Sequence, residues 1–125
     1  MQGIVNTDKA PAAIGPYSQG IITGNLILLS GQLPLNPETG TFPEGIAKQT
    51  KQSLENVKAI LEKAGSSMEA VIKTTVFLSD MNNFAAMNEV YATFFKDGSY
   101  PSRSAIEVAR LPKDALVEIE AIAEK

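Results

Sequence analysis

The segment Tyr100–Ala123, YPSRSAIEVARLPKDALVEIEAIA, reads as two β-strands flanking a turn. Ser104, Ile106 and Val108 alternate with Arg103, Ala105 and Glu107. Beyond ARLPKD, Val117, Ile119, Ala121 and Ala123 alternate with Glu118, Glu120 and Ile122. Successive side chains of a strand point to opposite faces, so each set takes a face of its own. One strand therefore carries an arginine and the next a pair of carboxylates, on faces opposite the small and apolar residues. A lone arginine and two glutamates on neighbouring strands bordering an apolar sheet is an unusual grouping. The rest of the chain is expected to build the sheet that holds these charges or to close a pocket over them.

Upstream, Ala10–Tyr17 (APAAIGPY) is a Pro/Gly-punctuated lead-in without a period; it either connects or places Tyr17 over something. Ser18–Ile22 and Leu26–Ser30 read as strands joined through Thr23-Gly24-Asn25. The second, LILLS, is apolar on both faces and is expected to lie centrally, covered on both sides. It ends at Ser30-Gly31, where glycine either opens the following loop or lets a ligand approach closely. Gln32–Gly45, with three prolines and two glycines, is a long loop of the kind that tends to be functional or interface-forming.

Ile46–Ala64 follows the helical rhythm through Ile46, Thr50, Leu54, Val57, Leu61 and Ala64, with Gly65 placed to end it. Val71–Ser79 is rich in β-branched residues and reads as an inner strand. Asp80 or Asn82 can cap a second helix over Asn83–Lys96. Its expected core stripe is Phe84, Met87, Tyr91, Phe94 and Phe95, with Gly98 ending it and Asn88 at the stripe's border. The order is β-β-α-β-α-β-β, with a short first strand at Gly3–Asn6. Two helices cover only one face of such a sheet, yet several strands are apolar on both, so a homo-oligomer is expected to cover the other.

The chain has 125 residues, 44% of them hydrophobic and 20% charged, which fits one soluble domain over 1–125. No apolar run approaches the roughly 20 residues that span a bilayer, and no signal-peptide pattern opens the chain, so the cytoplasm is the expected location. There is no cysteine and no histidine. Thiolate chemistry, a Ser-His-Asp triad and the usual zinc or iron sites are thereby excluded. A net charge of −3 without a basic cluster argues against a nucleic-acid footprint. No P-loop or dinucleotide fingerprint is present. A magnesium site at Glu118 and Glu120 and a Schiff base at Lys73 are weak alternatives.

Arg103 offers a planar fork suited to a carboxylate or phosphate; the competing interpretation is a plain ion pair with Glu118 or Glu120. Because two carboxylates accompany one arginine, one can remain to accept a proton or orient water.

The motifs IGPYSQG (Ile14–Gly20), LLSGQLPLNPETG (Leu28–Gly40), QSLENVKAILEKAG (Gln52–Gly65), VIKTTVFLSDM (Val71–Met81) and PSRSAIEVARLPKDALVEIEAIA (Pro101–Ala123) closely resemble the RidA/YjgF family of enamine/imine deaminases, over essentially the whole chain. The resemblance implies a chorismate-mutase-like α+β fold: a mixed sheet with two helices on one face, assembled as a homotrimer with pockets at subunit interfaces. It further implies hydrolysis of 2-aminoacrylate and 2-aminocrotonate, released by PLP-dependent dehydratases, to 2-oxo acids and ammonia without metal or cofactor. By the same match Arg103 binds the substrate carboxylate and Glu118 positions the attacking water. Tyr17 is a pocket aromatic, Ser30 and Gly31 line the site, Asn88 is a polar position near it, and Glu120 is structural. Ala105 stands where many members have Cys, Ser or Thr; the contact there is credited to the backbone N–H. A small-carboxylate-binding regulator of the same fold is the alternative to an enzyme. An RNA-directed role, a label some relatives carry, sits poorly with the acidic balance.

Overall fold

The computed structural model describes residues 3–125. Six strands form one mixed sheet: β1 (Gly3–Val5), β2 (Gly20–Thr23), β3 (Leu26–Gln32), β4 (Val71–Leu78), β5 (Ser102–Glu107) and β6 (Val117–Glu124). Their spatial order is β1-β2-β3-β6-β4-β5. Only β4 and β5 run parallel; the other neighbours are antiparallel. Two helices, α1 (Ile46–Lys63) and α2 (Phe84–Ala92), complete an α+β architecture.

The β2–β3 hairpin turns on Gly24, whose φ of 57° is costly for any residue with a Cβ. α1 ends in a Schellman motif. Ser66 N–H donates to Leu61 O and Gly65 N–H to Glu62 O, with Gly65 at φ 84°. α2 is shorter than its aromatic spacing predicts. From Thr93 to Phe95 the backbone bonds run to the residue three back, and the Thr93 hydroxyl donates to Val90 O. That competition tightens and ends the helix, so Phe94 and Phe95 pack half-buried beyond it. Asp80 caps the 3₁₀ turn that leads into α2, its carboxylate accepting the Asn82 N–H. β1 and β2 are likewise shorter than expected, and β3 runs two residues further, through Gln32.

The helices lie on one face. Ile27, Leu29, Val76, Leu78, Val117, Ile119, Ala121 and Ala123 are buried beneath them with Leu54, Val57, Ile60 and Leu61 of α1. Ile46 and Ala64, expected at the ends of that stripe, are only half-buried; Ile60 takes a central place instead.

The expectation that β3 is covered on both sides is not met within one chain. Leu28 is 40% exposed and Ile106 is 44% exposed. Registered partners extend this open apolar face: Leu28 pairs with Ile122, and Phe77 with both Glu118 and Ile106.

Candidate functional site

The strands bearing Arg103 and Glu118 are not neighbours: β4 lies between β5 and β6. Cross-strand partners share a face. Arg103 is in register with Thr74, and Thr74 with Ala121, a row lying beneath the helices. Glu118 is in register with Phe77, and Phe77 with Ile106, on the open face. The arginine and the carboxylate therefore sit on opposite faces of the same sheet. The expected grouping of the charges on neighbouring strands fails because the chain crosses over β4 between them. The ion pair of Arg103 with Glu118 or Glu120 is absent too; among the described residues the salt bridge found is the exposed Arg110–Asp114 pair, 3.4 Å.

Each charge has its own cleft. A cleft of about 480 Å³ is lined by Ile14, Tyr17, Ser30, Gly31, Lys113 and Glu118, among others. Its floor is the β3 bulge, where the register with β6 shifts between Leu29 and Gln32. Gly31 stands so close to Glu118 that a Cβ there lies 2.6 Å from a carboxylate oxygen. Gly31 lies inside β3 rather than opening the loop, and what approaches it closely is a neighbouring side chain of the protein itself. Ser30 is tied down, its hydroxyl donating to Ser18 O at 2.6 Å and its N–H to Gln19 O at 3.0 Å. Burial pushes the Glu118 carboxyl above the ordinary carboxylate range, and the like charge of Glu120 adds to that shift. Glu120 itself is exposed on the open face, as is Lys73, which has no desolvated pocket of the kind a Schiff-base amine needs.

The second cleft, about 450 Å³, lies on the helix side of the edge strand and is lined by Asn88, Tyr91, Ala92, Tyr100, Pro101 and Arg103. Arg103 Nη1 donates to Asn88 Oδ1 at 2.6 Å. Asn88 thus holds the arginine. The guanidinium lies 4.7 Å from the Tyr91 ring centre and 5.4 Å from that of Phe84, so these stripe residues serve the charge as well as the core. Of its five donors, one is engaged by a protein side chain and none by a carboxylate among the described residues. Ala105 is half-buried two residues along the same face, in register with Val76.

Sequence periodicity passes over the groups that shape the first cleft. Gln19, 2% exposed, accepts the Thr7 N–H and donates to the carbonyls of Thr7, Ala10 and Pro11. Asn56 donates to Leu33 O and Leu35 O, and Gln49 joins Pro43 O to the Leu116 N–H. Three buried amides thus pin the loops around Glu118. Larger depressions along the outer side of α1 are lined by solvated lysines and glutamates and gather no comparable chemistry.

Residues 7–125 match the family model described as Endoribonuclease L-PSP. The chain is 58% identical to a RutC family protein of Haemophilus influenzae, over 98% of this chain and 97% of that one. It is 54% identical to the 2-iminobutanoate/2-iminopropanoate deaminase of Escherichia coli, over 98% of each. Among solved structures, E. coli TdcF with bound serine superposes with a TM-score of 0.93 at 51% identity, covering 98% of both chains.

Proposed function

The chain belongs to the RidA/YjgF family, and from that premise we propose that it is a 2-iminobutanoate/2-iminopropanoate deaminase. In this proposal it is one domain over 1–125 of chorismate-mutase-like fold, assembled as a homotrimer in the cytoplasm. It converts the enamine/imine intermediates released by PLP-dependent dehydratases to 2-oxo acids and ammonia, with no cofactor. The observation that carries the proposal is the division of the charges. An arginine that pairs with no carboxylate among the described residues and a glutamate of raised pKa occupy opposite faces of one sheet whose apolar face is open. Packing of a second copy against that face brings the Arg103 cleft of one chain to the Glu118 cleft of another. The bound serine of TdcF, an amino acid carrying a carboxylate, supports a small carboxylate-bearing ligand.

In the assembled pocket the Arg103 guanidinium binds the substrate carboxylate through paired N–H donors and withdraws electron density from the adjacent carbon. The enamine takes a proton at its terminal carbon and releases one from nitrogen, becoming the imine. Glu118 accepts a proton from a water, whose oxygen attacks the imine carbon. The resulting adduct receives that proton on nitrogen to give the carbinolamine, whose hydroxyl proton passes to nitrogen as the C–N bond breaks, leaving the ketone and ammonia. Desolvation by the apolar loops makes Glu118 a better base than a solvated carboxylate, while the incoming guanidinium favours its ionised form. Tyr17, Ser30 and Gly31 shape the water's side of the pocket; Asn88 and the Ala105 backbone shape the carboxylate's side. An RNA track needs a run of cations, whereas the clefts hold one lysine and one arginine respectively.

The test is pyruvate release from serine by a PLP-dependent dehydratase, with and without this protein. Acceleration by the wild-type chain is expected to vanish in Arg103→Ala and to fall about 10²-fold or more in Glu118→Ala. No acceleration with either the three- or the four-carbon enamine, alongside retained pyruvate binding, would point to a carboxylate-binding regulator instead.

A further inference from the structure

The cleft around Arg103 is built by α2 as a mount. Phe84, Asn88 and Tyr91 lie at positions i, i+4 and i+7 of that helix, on one side of it. Asn88 takes one N–H of the guanidinium, and the two rings close over the charge at 5.4 and 4.7 Å. The Tyr91 ring is fixed in turn: its hydroxyl and that of Thr74 share a 2.6 Å hydrogen bond, both groups being buried. Thr74 is the residue in register with Arg103 across β4 and β5. Backbone pairing, hydroxyl bond and ring–cation contact therefore form a closed circuit, Arg103–Thr74–Tyr91–Arg103.

Resting on the proposed role of Arg103 as carboxylate anchor, we propose that Tyr91 is a positioning residue for this reaction, clamping the guanidinium in its substrate-binding orientation while Thr74 locks the ring. A free arginine surrenders much of its rotamer freedom when it grips a carboxylate in the two-pronged geometry. Here Asn88 and the two rings already restrict that freedom, so ligand binding retains more of the interaction. The ring also removes water from one face of the cation, which strengthens both the ring contact and the remaining hydrogen bonds. Burial raises the Tyr91 hydroxyl's pKa, against the lowering influence of the Thr74 bond and Arg103, and so keeps the phenol neutral and able to donate.

The test compares the full-length wild-type protein with Tyr91→Leu, Tyr91→Phe, Phe84→Leu and Arg103→Ala. It reads the pyruvate Kd by calorimetry, and kcat and KM separately in the coupled assay. Tyr91→Leu is expected to raise Kd and KM together by roughly 3- to 30-fold, the range of one ring–cation contact, with kcat changing less than about twofold. Tyr91→Phe keeps the ring and is expected to restore most of the affinity. Phe84→Leu, at a half-buried site and with an apolar side chain kept, is expected to raise Kd by a smaller factor. Wild-type Kd and KM in Tyr91→Leu, or in Phe84→Leu should the former not fold, overturn the clamp while Arg103→Ala separately upholds the anchor. An Arg103→Ala protein that binds pyruvate like wild type overturns anchor and clamp together. A lowered melting temperature with kcat reduced and KM unchanged, not rescued by Tyr91→Phe, marks Tyr91 as structural only and also overturns the clamp.

Discussion

Gly31 and Glu118 define how tightly the water-side cleft is built. The three heavy atoms nearest to a Cβ at position 31 all belong to Glu118, at 2.6, 3.0 and 3.2 Å. Gly31→Ala must therefore push the carboxylate aside. The displaced glutamate no longer aims at the imine carbon, and kcat/KM is expected to drop about 10²-fold or more, towards the level of Glu118→Ala. The urea midpoint should move little, because a side chain that yields is one exposed to the cleft. Glu118 itself carries a pH signature. Its raised folded-state pKa means that its contribution to stability is fully present below the unfolded pKa and is lost as pH rises through the folded pKa. Glu118→Gln is accordingly expected to melt a few degrees above wild type at pH 8, with the gap closing towards pH 4; melting curves across that window check both sign and direction. Neither property could be read from the chain. Sequence left Gly31 between a loop opener and a point of ligand approach; that the residue is part of β3, crowded by Glu118 at a bulge that slips the register towards β6, follows only from the fold.

The elements repeat this division between what periodicity reveals and what it conceals. Period-two alternation identified β5 and β6, and the 3.6-residue rhythm identified α1, because burial of apolar side chains imposes those periods; β4 was legible from its β-branched content. The same rule treats a polar residue as solvent-facing and so passes over Gln19, Gln49 and Asn56, which are buried because loop carbonyls and N–H groups need partners where water does not reach. Strand order was equally hidden: alternation assigns a residue to a face of its own strand, but only the crossover that puts β4 between β5 and β6 says which faces coincide. Gln19 offers the clearest test. Gln19→Leu keeps the volume and removes four hydrogen bonds to Thr7, Ala10 and Pro11. Loss of roughly 1–3 kcal/mol is expected, since the freed backbone groups are only partly reached by water. Denaturant melts read the stability. Hydrogen exchange should show faster exchange confined to residues 7–17, the segment that carries Tyr17 to the cleft.

At the scale of the whole molecule, the catalytic proposal and the assembly proposal are one claim, because neither cleft contains both charges. Arg103 lies on the helix side and Glu118 on the open side of a single sheet, so no motion that preserves the sheet brings them together in one chain. Two inactive variants should then restore each other. In a mixed oligomer, a site formed by the Arg103 cleft of a Glu118→Ala chain and the Glu118 cleft of an Arg103→Ala chain is intact. Random association of equal amounts makes about one site in four of this kind, whatever the number of subunits in the ring. Co-expression or joint refolding of the two variants is therefore expected to yield up to about a quarter of wild-type activity, from two proteins each inactive alone, with kcat/KM per intact site unchanged. Ile106→Glu places a charge on the exposed apolar face and should abolish both assembly, by light scattering, and complementation. Mixtures that remain dead while forming normal oligomers would mean that Arg103 and Glu118 do not serve the same substrate molecule, and the two-chain mechanism would fall with them.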